Sequence, residues 1–231
     1  IPFGKAPLRT MECLAARMVD IIRSVQPQGP YRLAGWSFGG VLAYEVAMQL
    51  LGMDEAVSFV GLIDSFVPRL TDQGKARWSD EHAHKRQLLQ HCTMYWATRG
   101  EAGQAALAHL AVLQTELEQI DFQPLLSRCR EEQLLHPDMA AATPEDLWHY
   151  LDREVAHGHA LAHYRINPLG LPLHLFRAQE HPTELSRRHP TLGWSDEIAS
   201  TLLHCIDVPG DHQSMMQAPH VHVLGQALSQ A

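Results

Sequence analysis

The sequence predicts an α/β fold: a mostly parallel sheet with a block of helices inserted into it. Three observations predict it. Val57 to Ile63 is a nearly unbroken apolar run, the pattern of a strand buried on both faces of a parallel sheet. Helical and strand patterns alternate on both sides of the chain around that run. Between Pro68 and Tyr164 the alternation stops and helical patterns take over. With 231 residues, 45% of them hydrophobic and 19% charged, the chain can bury a sizeable core and does not have the composition of a disordered one.

Each element has its own signal. Ile1 to Leu8 carries two prolines and a glycine and reads as loop. From Thr10 to Val25, the residues Met11, Leu14, Ala15, Met18, Val19 and Ile22 recur at three- and four-residue steps, a helix with Thr10 as N-cap. Pro27 to Pro30 is a turn, Tyr31 to Trp36 a short strand, and Gly39 to Leu51 a helix ended by Gly52. After the apolar strand comes the helical block, 68–165. Ser79 caps a helix running to about Thr98; a second runs from about Gly103 to Gln119 and a third from Pro124 to Leu135. Thr143-Pro144-Glu145-Asp146 opens a fourth, with a capping threonine, proline at the first helical position and acids in the first turn. Strand signals return at Leu171 to Ala178 and Thr201 to Val208, and a helix from Pro219 to about Ser229 closes the chain.

Composition excludes several classes of function. Eighteen basic against 26 acidic residues give a net charge of -8, which disfavours nucleic acid and anionic membranes as partners. No apolar run approaches the roughly 20 residues of a membrane span. Cys13, Cys92, Cys129 and Cys205 are scattered without a CxxC pair, which suits free thiols in a reducing compartment and predicts a cytoplasmic protein. The start at Ile1 carries no signal-peptide pattern and reads as mid-domain sequence, so it says nothing of a signal upstream.

Gly35-Trp36-Ser37-Phe38-Gly39 matches G-x-S-x-G between a strand and a helix, the context of a nucleophile elbow in an α/β-hydrolase. A very tight turn lifts the Ser37 hydroxyl clear of the sheet. Gly35 and Gly39 are both expected to avoid clashes with neighbouring backbone, and Gly40 to add room. The N–H of Phe38 then faces the developing oxyanion, helped by the positive helix N-terminus. A serine needs a base. Among 16 histidines, His212 stands out by position, in the turn Val208-Pro209-Gly210-Asp211-His212 directly after the last strand.

Two carboxylates compete for the role of acid. Asp64 ends the wholly apolar strand, where solvated surface is a poor explanation for it; Glu180 follows the penultimate strand, beside His181, Pro182 and Thr183. Asp64 is favoured and Glu180 is the alternative. Asp211 adjoins His212 too closely to bond its imidazole, and Asp207 reads as structural. His157, His159 and His163 lack a carboxylate or thiolate to complete a ligand set, so no metal is expected, and they read as a helix surface lining a cavity. His82 and His84 read as solvated, and Met94, Tyr95 and Trp96 as core of the helical block.

The stretch Gly29-Pro30-Tyr31-Arg32-Leu33-Ala34-Gly35-Trp36-Ser37-Phe38-Gly39-Gly40 resembles the elbow of the type I thioesterase domains that end nonribosomal peptide synthetases. The likeness continues through Ile63-Asp64-Ser65, Thr191-Leu192-Gly193-Trp194 and Val208 to Met216. It implies an α/β-hydrolase with a helical lid at 68–165 and a Ser37, Asp64, His212 triad, because in such domains the acid follows the strand after the elbow helix. It implies no bound cofactor. The substrate is a peptidyl thioester on the 4'-phosphopantetheine of a peptidyl carrier protein domain. Ser37 would take the chain as an ester, and water or an internal nucleophile would release it as acid, lactone or lactam. The family's first strands, and the loop giving the second oxyanion N–H, are expected upstream of Ile1, so the domain 1–231 reads as N-terminally incomplete. Two other readings stay open: a free-standing type II editing thioesterase or lipase-like esterase, and a catalytically silent hydrolase fold kept as a binding module.

Overall fold

The computed structural model describes residues 8–70, 80–97, 99–180 and 187–231. The expected cap Ser79, the expected helix end at Thr98, the loop before Leu8, and His181, Pro182 and Thr183 lie outside these residues. Eight α-helices and four strands follow along the described chain: α1 (Met11–Val25), β1 (Tyr31–Trp36), α2 (Phe38–Gly52), β2 (Val57–Ile63), α3 (Asp80–Ala97), α4 (Gly100–Thr115), α5 (Phe122–Glu131), α6 (Pro137–Ala141), α7 (Pro144–His163), β3 (Leu173–Ala178), β4 (Leu203–Val208) and α8 (His220–Gln230). Thr10 caps α1 by accepting the N–H of Cys13 at 3.2 Å, and Thr143 does the same for Asp146 at the start of α7, at 3.1 Å.

The chain divides into two compact units. One contains Arg9–Gln73 and Ala160–Ala231; the other contains α3 to α6 and α7 as far as His159. In the first, the strands form one sheet in the order β1-β2-β3-β4, every neighbouring pair parallel. Alternate residues of each strand serve opposite faces. Val60, Leu62, Leu173 and Leu175 join Met11 and Tyr44 in a cluster with α1 and α2, while Phe59, Ile63, Phe176 and Val208 join Met215 and Leu224 of α8. The apolar run of β2 is therefore needed on both sides, as its sequence predicts; only Ser58 is exposed. Buried Glu45 of α2 accepts a hydrogen bond from Tyr164 at 2.7 Å, and burial pushes the Tyr164 hydroxyl pKa well above its ordinary range.

The second unit has its own core, built on Leu88, Leu89, Leu110, Leu113, Leu125 and Leu151. Three expectations are corrected here. His82 and His84 are buried, not solvated. The His84 ring stacks on Trp148 at 4.1 Å with planes 4° apart, and its Nε2 lies 3.5 Å from Asp152; His82 Nδ1 lies 3.4 Å from Glu118. The Glu118 and Asp152 carboxylates and the Trp148 ring face these imidazoles, so α3 buries a mixed stripe that hydropathy alone assigns to solvent. Met94 is exposed, although Trp96 packs against the core and donates to the Leu134 carbonyl at 2.8 Å. The helices of this unit are also displaced: α4 and α5 each begin two or three residues early and end four early, and the five-residue α6 carries too short a pattern to be read. Among the described residues, no helix is long and apolar enough to cross a membrane.

Candidate active site

A parallel sheet opens all its carboxyl ends on one edge, and loops leaving that edge converge. Ser37 follows β1, Asp64 follows β2, Ala178 ends β3, and the loop after β4 carries His212. These are the positions from which the site is built.

Ser37 occupies φ 54°, ψ -122°, a backbone region that side-chain-bearing residues rarely enter. Surrounding hydrogen bonds hold it there. Its N–H donates to Ile63 O at 2.9 Å and its carbonyl accepts from Gly40 N at 3.1 Å. Ser37 is also the N-cap residue of α2, yet its side chain makes no capping bond. The glycines divide the steric work differently from expectation. A Cβ on Gly35 would fall on the carbonyl of Gly39, and one on Gly40 would fall on Ser65 Oγ; Gly39 faces open space. Gly35 and Gly40 are thus the positions that need glycine, and the clash expected at Gly39 is absent. Phe38 is the first residue of α2, at its positive end.

Asp64 is 4% exposed and adopts φ 43°. Its N–H donates to Phe176 O at 2.7 Å, and its Oδ1 accepts from Ala178 N at 3.0 Å. Its Oδ2 lies 2.7 Å from His212 Nδ1. A carboxylate can only accept, so Nδ1 is the nitrogen that carries the proton in the neutral imidazole, and Nε2 is the one that then offers a lone pair. The segment after Asp64 is braced in turn. Trp194, fully buried, donates from Nε1 to Ser65 O at 2.6 Å, and Val67 N donates to Leu192 O at 3.0 Å. Gly193, at φ 87°, makes this approach possible because a Cβ there would strike Val67 and Leu70.

The His212 loop is closed by a reciprocal pair of bonds. The Asp211 carboxylate accepts from Ser214 N at 2.7 Å and Gln213 N at 2.9 Å, while Ser214 Oγ accepts from Asp211 N at 2.8 Å. Those backbone donors, Ser214 first, hold the Asp211 carboxyl below the usual carboxylate range. Asp211 therefore shapes the loop and leaves the imidazole to Asp64. Trp36 adds two contacts: Nε1 donates to the His212 carbonyl at 3.1 Å, and its rings stack on the imidazole at 4.9 Å with planes 28° apart.

The two candidate acids separate clearly. Glu180 is exposed; its N–H donates to Gly210 O at 3.0 Å, and the carboxylate on His212 Nδ1 is that of Asp64. Asp207 pairs with Arg177 at 2.6 Å. Asp64 and His212 are brought into direct contact, while Ser37 Oγ makes no hydrogen bond to His212 among the described residues. In resting hydrolase sites that bond is often long and tightens with substrate. Among the described residues no cluster of three histidine, cysteine or acidic side chains could hold a metal. Trp36, Ser214 and Trp194 escape a sequence-level reading of roles: each acts through a contact that only the folded loops create.

Comparison with known proteins extends this geometry to the whole chain. A family model described as Thioesterase domain matches residues 2–227. A 59-residue stretch is 49% identical to N-(5-amino-5-carboxypentanoyl)-L-cysteinyl-D-valine synthase of Penicillium rubens; the match covers 26% of this chain and 2% of that protein. The structure is similar to holo-AB3403, a four-domain nonribosomal peptide synthetase, with TM-score 0.75 and 26% identity over 98% of this chain and 16% of that one. It also resembles the NocB thioesterase domain in covalent complex with a fluorophosphonate nocardicin G analog, with TM-score 0.60 and 22% identity over 99% of this chain and 78% of that one. The chain thus spans a small fraction of the multidomain relatives it matches. An elbow, a carboxylate–imidazole pair and a sheet of this kind, matched from residue 2 to residue 227, place the chain in the thioesterase domain family.

Proposed function

We propose that this chain is the terminal thioesterase of a nonribosomal peptide synthetase, releasing a peptidyl or depsipeptidyl chain from the phosphopantetheine thioester of a carrier domain. The observation that carries the reading is the 2.7 Å contact between Asp64 and His212 beside a strained elbow that leaves Ser37 Oγ uncommitted. His212 Nε2 takes the proton of Ser37 Oγ as that oxygen attacks the thioester carbonyl. Negative charge collects on the carbonyl oxygen and is met by the N–H of Phe38 at the head of α2. The carbon–sulfur bond then breaks, the proton on His212 passes to the leaving thiolate, and an ester on Ser37 remains. Water or a nucleophile within the chain gives its proton to His212, attacks the ester, and returns Ser37 to its hydroxyl form. The first gives a free acid, the second a lactone or lactam. In this reading the inserted helical block expected at 68–165 is the lid that governs which nucleophile is admitted. The domain needs no cofactor of its own, and its four free cysteines accord with work in the cytoplasm.

The test is intact-protein mass spectrometry after exposure to a fluorophosphonate, paired with turnover of a peptidyl-pantetheine thioester. The expected result is a single adduct on Ser37 and loss of both adduct and turnover in Ser37→Ala. An unlabelled Ser37 in a folded protein would instead support the silent binding module.

A further inference from the structure

The residue between Gly35 and Ser37 is free to vary in the G-x-S-x-G pattern, since its side chain has no place in the pattern's steric logic. Here it is tryptophan, and it makes both available contacts with the same residue. Its indole N–H, a donor that must find a partner when covered, donates to the main-chain carbonyl of His212 at 3.1 Å. Its ring lies against the imidazole of His212 at 4.9 Å and 28°. One side chain thus fixes both the backbone and the ring of a residue 176 positions away in sequence.

The indole is itself well supported. Trp36 ends β1 and pairs in register with Ile63 of β2, whose carbonyl accepts the Ser37 N–H at 2.9 Å. Its side chain packs against the cluster formed by Phe59, Ile63, Phe176, Val208 and Met215. Leu224 of α8 belongs to that cluster, and turning the half-buried ring away would forfeit its apolar contacts there. His212 by contrast rides on a loop. Asp64 fixes one nitrogen of its ring, and a single hydrogen bond leaves rotation about that bond free. A flat ring stacked on the imidazole removes this freedom.

We infer that Trp36 is a positioning residue for His212, gripping the base by its carbonyl and its ring face so that Nε2 is aimed at the adjoining Ser37. The inference rests on the proposed Ser37–His212 chemistry and deepens it. Because Trp36 is bonded directly to Ser37, any movement of the nucleophile carries the base's platform with it. This accounts for a site in which Ser37 Oγ and His212 are not yet hydrogen-bonded and still share one rigid frame. The same face also suits the reacting state: when His212 takes the serine proton, the imidazolium lies over an indole, the aromatic ring that best attracts a cation.

The test compares Trp36→Phe, which keeps a stacking ring and loses the N–H, with Trp36→Leu, which loses both. Acylation is followed as the p-nitrophenolate burst from p-nitrophenyl butyrate, with Ser37→Ala and His212→Ala alongside. The expected order is a loss of about fivefold for Trp36→Phe, the size of one neutral hydrogen bond, and of about a hundredfold for Trp36→Leu, the size of a misaimed catalytic group. Both losses should appear in the acylation rate with KM within about twofold of the parent, because Trp36 aims the base and does not hold substrate. The ring protons of His212 should keep their upfield shift in Trp36→Phe and lose it in Trp36→Leu. Trp36→Leu acylating within threefold of the parent overturns the inference. Should that variant not fold, Trp36→Phe decides: a folded protein with parental acylation, or with a loss confined to KM, overturns it as well. Burst activity persisting in Ser37→Ala and His212→Ala would instead sink the underlying chemistry.

Discussion

The two units of this chain hold polar groups on different kinds of backbone. At the sheet edge of the α/β unit, half-buried Ser37 and buried Asp64 both sit at positive φ, at the ends of adjacent strands, and Asp64 spends its two oxygens on Ala178 N and His212. In the helical unit, buried polar side chains sit on ordinary helix, as Glu45 does on α2: His84 lies on Trp148, and Lys85 donates to the Ile120 carbonyl at 2.8 Å. Histidine is abundant in both, and its role differs by setting. At a strand end it meets a carboxylate that the sheet edge fixes, whereas between helices it serves as a flat, polar-tipped core residue. A histidine count says little about chemistry; the loop that bears the histidine says much more.

The sharpest way to break this contrast is to exchange consequences between the units. Ser37→Ala should lower thioester turnover by about 10⁴-fold or more, as loss of a nucleophile does, with an unchanged circular-dichroism spectrum. In the helical unit, Leu113→Ala should cost about 2–5 kcal/mol as a fully buried leucine truncation. Hydrogen exchange should show α3 to α5 losing protection while β2 and β3 keep theirs; loss of protection in both together would contradict two separate cores.

Next in size is the steric division at the elbow. Gly40→Ala should destabilise by about 1–3 kcal/mol, an overpacking cost against Ser65. Gly39→Ala, opening into free space on a helix, should be neutral or stabilise by up to about 1 kcal/mol. Thermal melts of the pair check it, and equal losses would contradict the assignment.

The smallest expected effect is a dependence on pH. Burial lowers the pKa values of His91 and His157 on α3 and α7 below the ordinary histidine range. The unfolded chain therefore binds more protons than the folded one below about pH 6.5, and the stability these neutral rings contribute is lost as pH falls from there toward their folded values. Burial raises Glu154, which faces both rings, and this acts oppositely: its contribution is lost as pH rises through its folded value. The α3 and α7 amides should lose protection between pH 7 and 5 sooner in the parent than in a His91→Gln variant, and identical profiles would exclude the histidines as the cause.

Much of the α/β unit is legible in sequence because parallel strands and an elbow leave strong local marks. The bounds of α1, β1 and β2 match their apolar patterns residue for residue, and the loop of His212 follows from its place after β4. What is not legible is set by distance. Trp36 and His212 meet across 176 residues, and Trp194 reaches Ser65 across 129, with no periodicity to announce either. Gly39 and Gly40 are indistinguishable as letters; the positions of Ser65 and of the Gly35 carbonyl separate them. In the helical unit, His82 and His84 read as solvated and are buried, because the carboxylates that face them, Glu118 and Asp152, stand far along the chain and leave no local pattern.

The central claim is that Asp64, and not Glu180, orients His212 for attack by Ser37. The most direct measurement is the rate of acyl-enzyme formation in Asp64→Asn and Glu180→Gln, read by mass spectrometry with a peptidyl-pantetheine thioester. The account predicts a fall of about 10³- to 10⁴-fold in Asp64→Asn, as when an amide puts a catalytic histidine in the wrong tautomer, and a rate near the parent's in Glu180→Gln. Loss of acylation in Glu180→Gln alone, with Asp64→Asn intact, would contradict it.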